Sequence, residues 1–374
     1  MPFPLNLQNS LRINLLKSKN MKTTLFVKAA SVVALLLLSS TANAKSWRIH
    51  NDTKYHPHFT DINAAMSSAE VQAGDTLYLD PGCTLLSAQT ITKAVTIIGN
   101  GYFLQNGMVS ATISAATYIN ADNAKLMGVS FGSYVSIKAN NITLERCRVY
   151  GSICTNSRTC YGLNVLQCYI VSSISNGALY GSSLSYPFRN ATIKNNIIMW
   201  TYTSSKSSYA AIEYVHDSEI SNNYIAAEIQ TAARYVLRNI TGSQIYNNII
   251  KNTIYPNYVF SNHDASYNNA FYNNVVSAQE GTFSNATNIV WLETGDFSAV
   301  FAEGANDAAF HLKEGSPAKG AAADGGDCGP YGGATPYVEG GIPLYHPFIN
   351  DITVSAKPVN GKIKLNLNAK MQNE

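Results

Sequence analysis

Between residues 126 and 276 the chain repeats one short pattern of apolar and polar positions. The segments LMGVSF from Leu126, LERCRV from Leu144, VLQCYI from Val165, IKNNII from Ile193, ISNNYI from Ile220, IYNNII from Ile245 and FYNNVV from Phe271 align without gaps, with apolar residues in the first and sixth places of each. Successive segments begin 18, 21, 28, 27, 25 and 26 residues apart. A nearly fixed period with elastic connections marks a unit that cannot bury its apolar face alone and must stack on its neighbours. The units are short, β-branched and Asn-rich, and only 13% of the chain is charged, so the period reads as strands and not as helical repeats. Short strands coiled and stacked in parallel at about 4.8 Å per rung make a β-helix. A further turn is predicted at VTIIGNGYF from Val95, which gives a solenoid roughly 35 to 40 Å long on that spacing.

The third and fourth places carry the polar signal. The fourth runs Val129, Cys147, Cys168, Asn196, Asn223, Asn248, Asn274, and the third ends in Asn195, Asn222, Asn247, Asn273. Asn tolerates the left-handed backbone of a sharp bend, and stacked amides can hydrogen-bond along a solenoid axis. Asn196, Asn223, Asn248 and Asn274 are therefore expected to form a structural ladder, with Cys147 and Cys168 as small buried fillers in the same column.

Both ends of a solenoid need covers, because an open end exposes strand edges and an apolar cross-section. At the N-terminal end Thr60 is expected to cap a helix with Ile62, Ala65, Met66 and Ala69 on one face, leading into a strand from Thr76 to Leu79. At the other end the Gly-rich stretch from Phe310 to Gly333 precedes two alternating strands, around Ile349 to Val354 and Ile363 to Leu367, with Asn360-Gly361 as the turn. The expected fold is thus all-β: a single-stranded right-handed parallel β-helix over residues 45–335 with an N-terminal cap helix, and a small hairpin-like β tail over 336–374, folded back along the last rungs.

Residues 1–44 contain Arg12, Lys17, Lys19, Lys22 and Lys28, no acid, an apolar run from Ala29 to Leu38 and the small triplet Ala42, Asn43, Ala44. That is the pattern of a secretory signal peptide starting at Met21 and cleaved near Ala44, after a start extension. The run is shorter than the roughly 20 residues of a membrane span. A secreted, periplasmic or surface location is expected, with no transmembrane segment. Loss of this segment leaves 21 basic against 23 acidic residues, which removes the electrostatic case for nucleic-acid binding. Six Cys are too sparse for a disulfide scaffold; Cys154 and Cys160 either close a small surface loop or remain free thiols.

Taken together, the helix followed by AGDTLYLDPG, the NNxI rungs and the closing GSPAKGAAADGGDCGPYGG resemble the secreted right-handed parallel β-helix proteins, of pectate-lyase-like fold, common in bacteroidete-type bacteria. The resemblance implies the fold. It carries over no functional residue, since such proteins include lyases, hydrolases and adhesins.

Chemistry must therefore be sought in the variable positions. The acids between Asp122 and Glu280 do not form the paired carboxylates of a glycoside hydrolase. Register places Glu213 beside Arg238, seven positions before the alignment start, and Arg189 beside His216, four before it. Tyr209, Tyr214 and Tyr235 lie near these columns, in a chain with 23 Tyr. Two readings follow. One is a glycan- or surface-binding protein, monomeric, with Tyr209, Glu213, Tyr214 and Tyr235 on the binding face, no metal and no evident cofactor. The other is a polysaccharide lyase acting on an acidic glycan by β-elimination through Arg189, His216 or Arg238, the one case admitting Ca²⁺. Opposite charges on adjacent rungs also stabilise a sheet surface, so a plain surface ladder is the competing account of these columns.

Overall fold

Leu77, Ile97, Leu126, Leu144, Val165, Ile193, Ile220, Ile245 and Phe271 stack one above another through nine coils, each on the inner side of a short strand. The computed structural model describes residues 44–104, 107–155, 158–176, 187–202, 210–229, 234–293, 297–343, 347–354, 358 and 362–371. The chain divides between Ala44 and Lys45, and the second unit carries the solenoid. Each complete coil passes through three parallel sheets in the order A, B, C. Among the described residues sheet A has eleven strands, sheet B ten and sheet C nine. This is a parallel β-helix, and the right-handed crossover follows from the twist of its strands.

The repeat now has a structural meaning. Its first place is the inward residue of sheet A. Its sixth place is the inward residue of sheet B, from Phe131 and Val149 through Ile170, Ile198, Ile225 and Ile250 to Val276, all buried. The pattern undercounts the coils, because Ser46–Ile49 and Ala286–Thr287 also join sheet A without an NNxI turn. Eleven rungs span about 48 Å, longer than the repeat alone indicates.

Between sheets A and B the third-place residue turns the chain through the left-handed region: Arg146 (φ 53°), Gln167 (54°), Asn195 (54°), Asn222 (53°), Asn247 (58°) and Asn273 (51°). The fourth-place residue then points inward. Asn196 Nδ2 donates to Asn223 Oδ1 at 2.9 Å, Asn223 Nδ2 to Asn248 Oδ1 at 2.9 Å, and Asn248 Nδ2 to Asn274 Oδ1 at 3.0 Å. Each oxygen also accepts the backbone N–H of the residue one coil below, beginning with Cys168. Cys147 and Cys168 continue the column as buried thiols.

The cap helix spans Ile62–Ser67, and its cap differs from expectation. Asp61, not Thr60, accepts the Ala64 N–H at 2.7 Å, because a carboxylate is the stronger acceptor for an orphan helix donor. The helix stops before Ala69, which is exposed. Gln89 Oε1 receives the Ile62 and Asn63 N–H groups at 3.0 and 3.1 Å, fixing the helix on the first strand of sheet C. Cys154 and Cys160 are not joined in a disulfide, and both are buried. No described helix is long and apolar enough to cross a membrane.

Residues 297–343 form a strap along the solenoid that runs from the last coils back toward the first. The outward face of sheet B is apolar, with Tyr169, Ile197, Tyr224, Ile249 and Val275, and the strap covers it with Phe297, Val300, Ala322, Cys328 and Tyr337. The left-handed column holds the strap's backbone. Asn273 Nδ2 donates to Ala321 O at 3.0 Å, Asn195 Nδ2 to Gly332 O at 2.7 Å, Gln167 Nε2 to Pro336 O at 2.6 Å and Arg146 Nη1 to Ile342 O at 2.8 Å. The strap thus passes residue 335, where the sequence reading begins the tail. Beyond it Pro347–Val354 and Leu365–Met371 pair antiparallel; the expected turn at Asn360-Gly361 lies outside the described residues.

Candidate functional site

Three consecutive rungs of sheet C carry the charged columns. Arg189 pairs in register with His216, and His216 with Thr241; one bend earlier, Glu213 pairs with Arg238. Tyr214 and Asn239, between these pairs, are both left-handed (φ 56° and 51°). Ile212, Val215, Leu237 and Ile240 on either side of the bend are buried in the core. By strand alternation the four charged residues therefore face outward, on one lateral wall.

Burial separates them. Glu213 is 2% exposed, so it lies beneath the surface one rung below Arg238. His216 is half-buried, and burial, reinforced by the neighbouring Arg189 guanidinium, holds its imidazole below the ordinary range. Arg189 is ion-paired with Asp217.

The concavity lies around Arg238. A recess of about 360 Å³ is lined by Arg234, Tyr235, Arg238, Asn239, Ser261, Asn262 and Tyr267. Its wall is fixed by hydrogen bonds: Asn262 Oδ1 accepts the Ile240 N–H at 3.2 Å and the Ser261 hydroxyl at 2.7 Å, and Asn269 Nδ2 donates to Asn262 O at 3.0 Å. Tyr235 packs against Tyr258 with ring centroids 5.2 Å apart. Among the described residues the lining holds no carboxylate, and Glu213 stands in register beside Arg238.

Of the residues singled out from sequence, Arg238 and Tyr235 line this recess. Arg189, His216, Glu213 and Tyr214 do not, and Tyr209 lies outside the described residues. Arg234, Asn239, Ser261, Asn262 and Tyr267 escaped the sequence reading. Ser261 and Asn262 come from a coil whose spacing is irregular, reached through the isolated parallel bridge of Leu237 to Phe260. Arg234 sits on the approach to its strand, where the repeat has no fixed register; its position four residues before Arg238 was the available signal.

Chemically, the recess presents two planar guanidinium forks, amide and hydroxyl groups and tyrosine rings. Guanidinium donors suit carboxylate or sulfate oxygens, and tyrosine gives a flat apolar face with a polar tip. Among the described residues no group of three or more His, Cys, Asp or Glu is placed to hold a metal ion.

No protein-family model matches the sequence. No curated protein matches it either. Among solved structures it is similar to a mutant of pectate lyase from Bacillus subtilis, at 12% identity over 69% of this chain and 79% of that one, with a TM-score of 0.28. A likeness this distant does not bear on activity.

Proposed function

We propose that this protein is exported and binds an acidic glycan, a polysaccharide or a cell-surface chain, in the sheet C recess. One observation carries the reading: Arg234 and Arg238 share a concave lining with Tyr235 and Tyr267. Two guanidinium groups would hold sugar carboxylates or sulfates, and the tyrosines would pack on ring faces. Planar guanidinium forks match the paired oxygens of a carboxylate or sulfate, which sets the preference for an acidic glycan.

A second reading, β-elimination, is favoured by the state of His216. Kept unprotonated on the same wall, its imidazole is suited to accept the proton next to a uronate carboxylate while Arg238 balances that carboxylate's charge. In this reading Arg234 and Arg238 would balance the uronate charge, with or without a bound Ca²⁺.

Titration with oligogalacturonate and a neutral oligosaccharide of equal length tests the proposal. Binding of the acidic chain alone is expected, weakened roughly tenfold by Arg238→Gln, the loss of about one charge-assisted hydrogen bond. Equal binding of both sugars would refute it. Growth of the ultraviolet absorbance of unsaturated uronides in the same samples would favour elimination, and a flat trace binding alone.

A further inference from the structure

The first strand of sheet A, Ser46–Ile49, begins one residue after Lys45, and a buried carboxylate stands at its start. Asp75 is 2% exposed. Its Oδ1 accepts the backbone N–H of Lys45 at 2.8 Å, and its Oδ2 accepts the indole N–H of Trp47 at 2.8 Å and the Gln72 N–H at 2.9 Å. The register is closed on the other side of Lys45 as well, since Thr76 donates its N–H to Lys45 O at 2.9 Å. The position of the Lys45 nitrogen is therefore set from both sides.

No side-chain cation makes an ion pair with Asp75 among the described residues. The Lys45 ammonium lies over the Trp47 ring, 5.6 Å from its centroid, and Lys93 Nζ is held by the Ser68 and Val71 carbonyls. A carboxylate removed from water is costly; the groups at hydrogen-bond distance from Asp75 are neutral N–H donors, and the Lys45 side-chain charge acts on it from beyond ion-pair distance. The nitrogen at 2.8 Å is also the one that cleavage after the triplet Ala42, Asn43, Ala44 would free, at the point where the chain divides into its two units.

We propose that the chain is processed between Ala44 and Lys45 and that the new α-ammonium of Lys45 is the ionic partner of Asp75. A peptidase that selects small residues hydrolyses the amide: water's oxygen joins the Ala44 carbonyl carbon, giving a carboxylate, and the Lys45 nitrogen leaves as an amine that takes up a proton. The neutral N–H donor at Asp75 becomes a charged one, and the buried carboxylate gains its counter-charge. Removal of the leader and completion of the first rung are thus one event. The inference rests on the leader reading and not on the glycan reading.

The test uses the full chain produced in an exporting host, with the product's mass measured and its melting temperature compared with a version that retains Ala44. A product starting at Lys45 is expected, melting roughly 2 to 5 °C above the Ala44-retaining chain, with the difference abolished in Asp75→Asn. A different N-terminus, equal melting, or a difference that persists in Asp75→Asn would overturn the proposal. Should Asp75→Asn fail to fold, the pKa of the α-ammonium decides: a value above the free-amine range of about 7.7 to 8.0 supports the pair, and an ordinary value overturns it.

Discussion

Sheets B and C are built from the same coils, yet their outer walls differ in kind. On sheet B the outward positions are Tyr169, Ile197, Tyr224, Ile249 and Val275, and the chain's own strap covers them. On sheet C the corresponding wall carries Arg238, His216 and Thr241 beside a polar recess, with Glu213 buried beneath the surface. Water penalises the first wall and not the second, so the apolar wall is closed by the polypeptide itself. Guanidinium and tyrosine groups held in a concavity serve no such closure. The contrast directs the search for a ligand to sheet C and assigns the strap a structural role.

The largest expected effect comes from a change that strikes both walls. Asn223 joins neighbouring coils through four bonds: its Oδ1 accepts the Asn196 N–H and Nδ2, and its Nδ2 reaches Ile193 O and Asn248 Oδ1. Asn223→Leu should cost about 3 kcal/mol in urea unfolding, because several buried groups lose partners at once. No loss would mean the column does not hold the coils.

Gly341→Ala should act on the strap wall alone. Gly341 has φ 57°, and an added Cβ would lie 2.3 Å from Tyr102 Cε1 and 2.5 Å from Arg146 O, so the strap's end must lift. About 2 kcal/mol of destabilisation is expected from strain and overpacking, with new protease cleavage confined to residues 297–343. Cleavage spread through the solenoid would erase the distinction between strap and coil.

The smallest effect concerns His216 on the sheet C wall. Its folded-state pKa lies below the ordinary value, so the unfolded chain takes up the proton more readily. Stability should be intact above the unfolded value of about 6.5 and fall as pH drops below it. His216→Gln should flatten the pH dependence of the melting temperature in that window. An unchanged slope would show that His216 is not held neutral by its surroundings.

The coils were legible in the sequence because the inward places of sheets A and B sit at a fixed offset across the tight left-handed bend. Asn195 and Asn196 occupy that bend side by side, one facing the strap and one facing the core. The same offset carried register far enough upstream to pair Glu213 with Arg238 and Arg189 with His216. It could not show that Glu213 would be buried, that Asp217 would engage Arg189, or that Arg234 and Tyr267 would converge on Arg238. Those outcomes depend on loop paths between sheets, which vary in length from coil to coil and leave no periodic trace. The strap's course was equally hidden, since glycines such as Gly341 mark close approach without naming the partner.

The most direct test of the account titrates one oligogalacturonate into the unaltered chain, Arg238→Gln and Gly341→Ala under identical conditions. Binding on the sheet C wall predicts that Arg238→Gln loses roughly tenfold in affinity while Gly341→Ala, altered at the strap, binds as the unaltered chain does. A loss in Gly341→Ala with none in Arg238→Gln would place the ligand on the other wall and contradict the account.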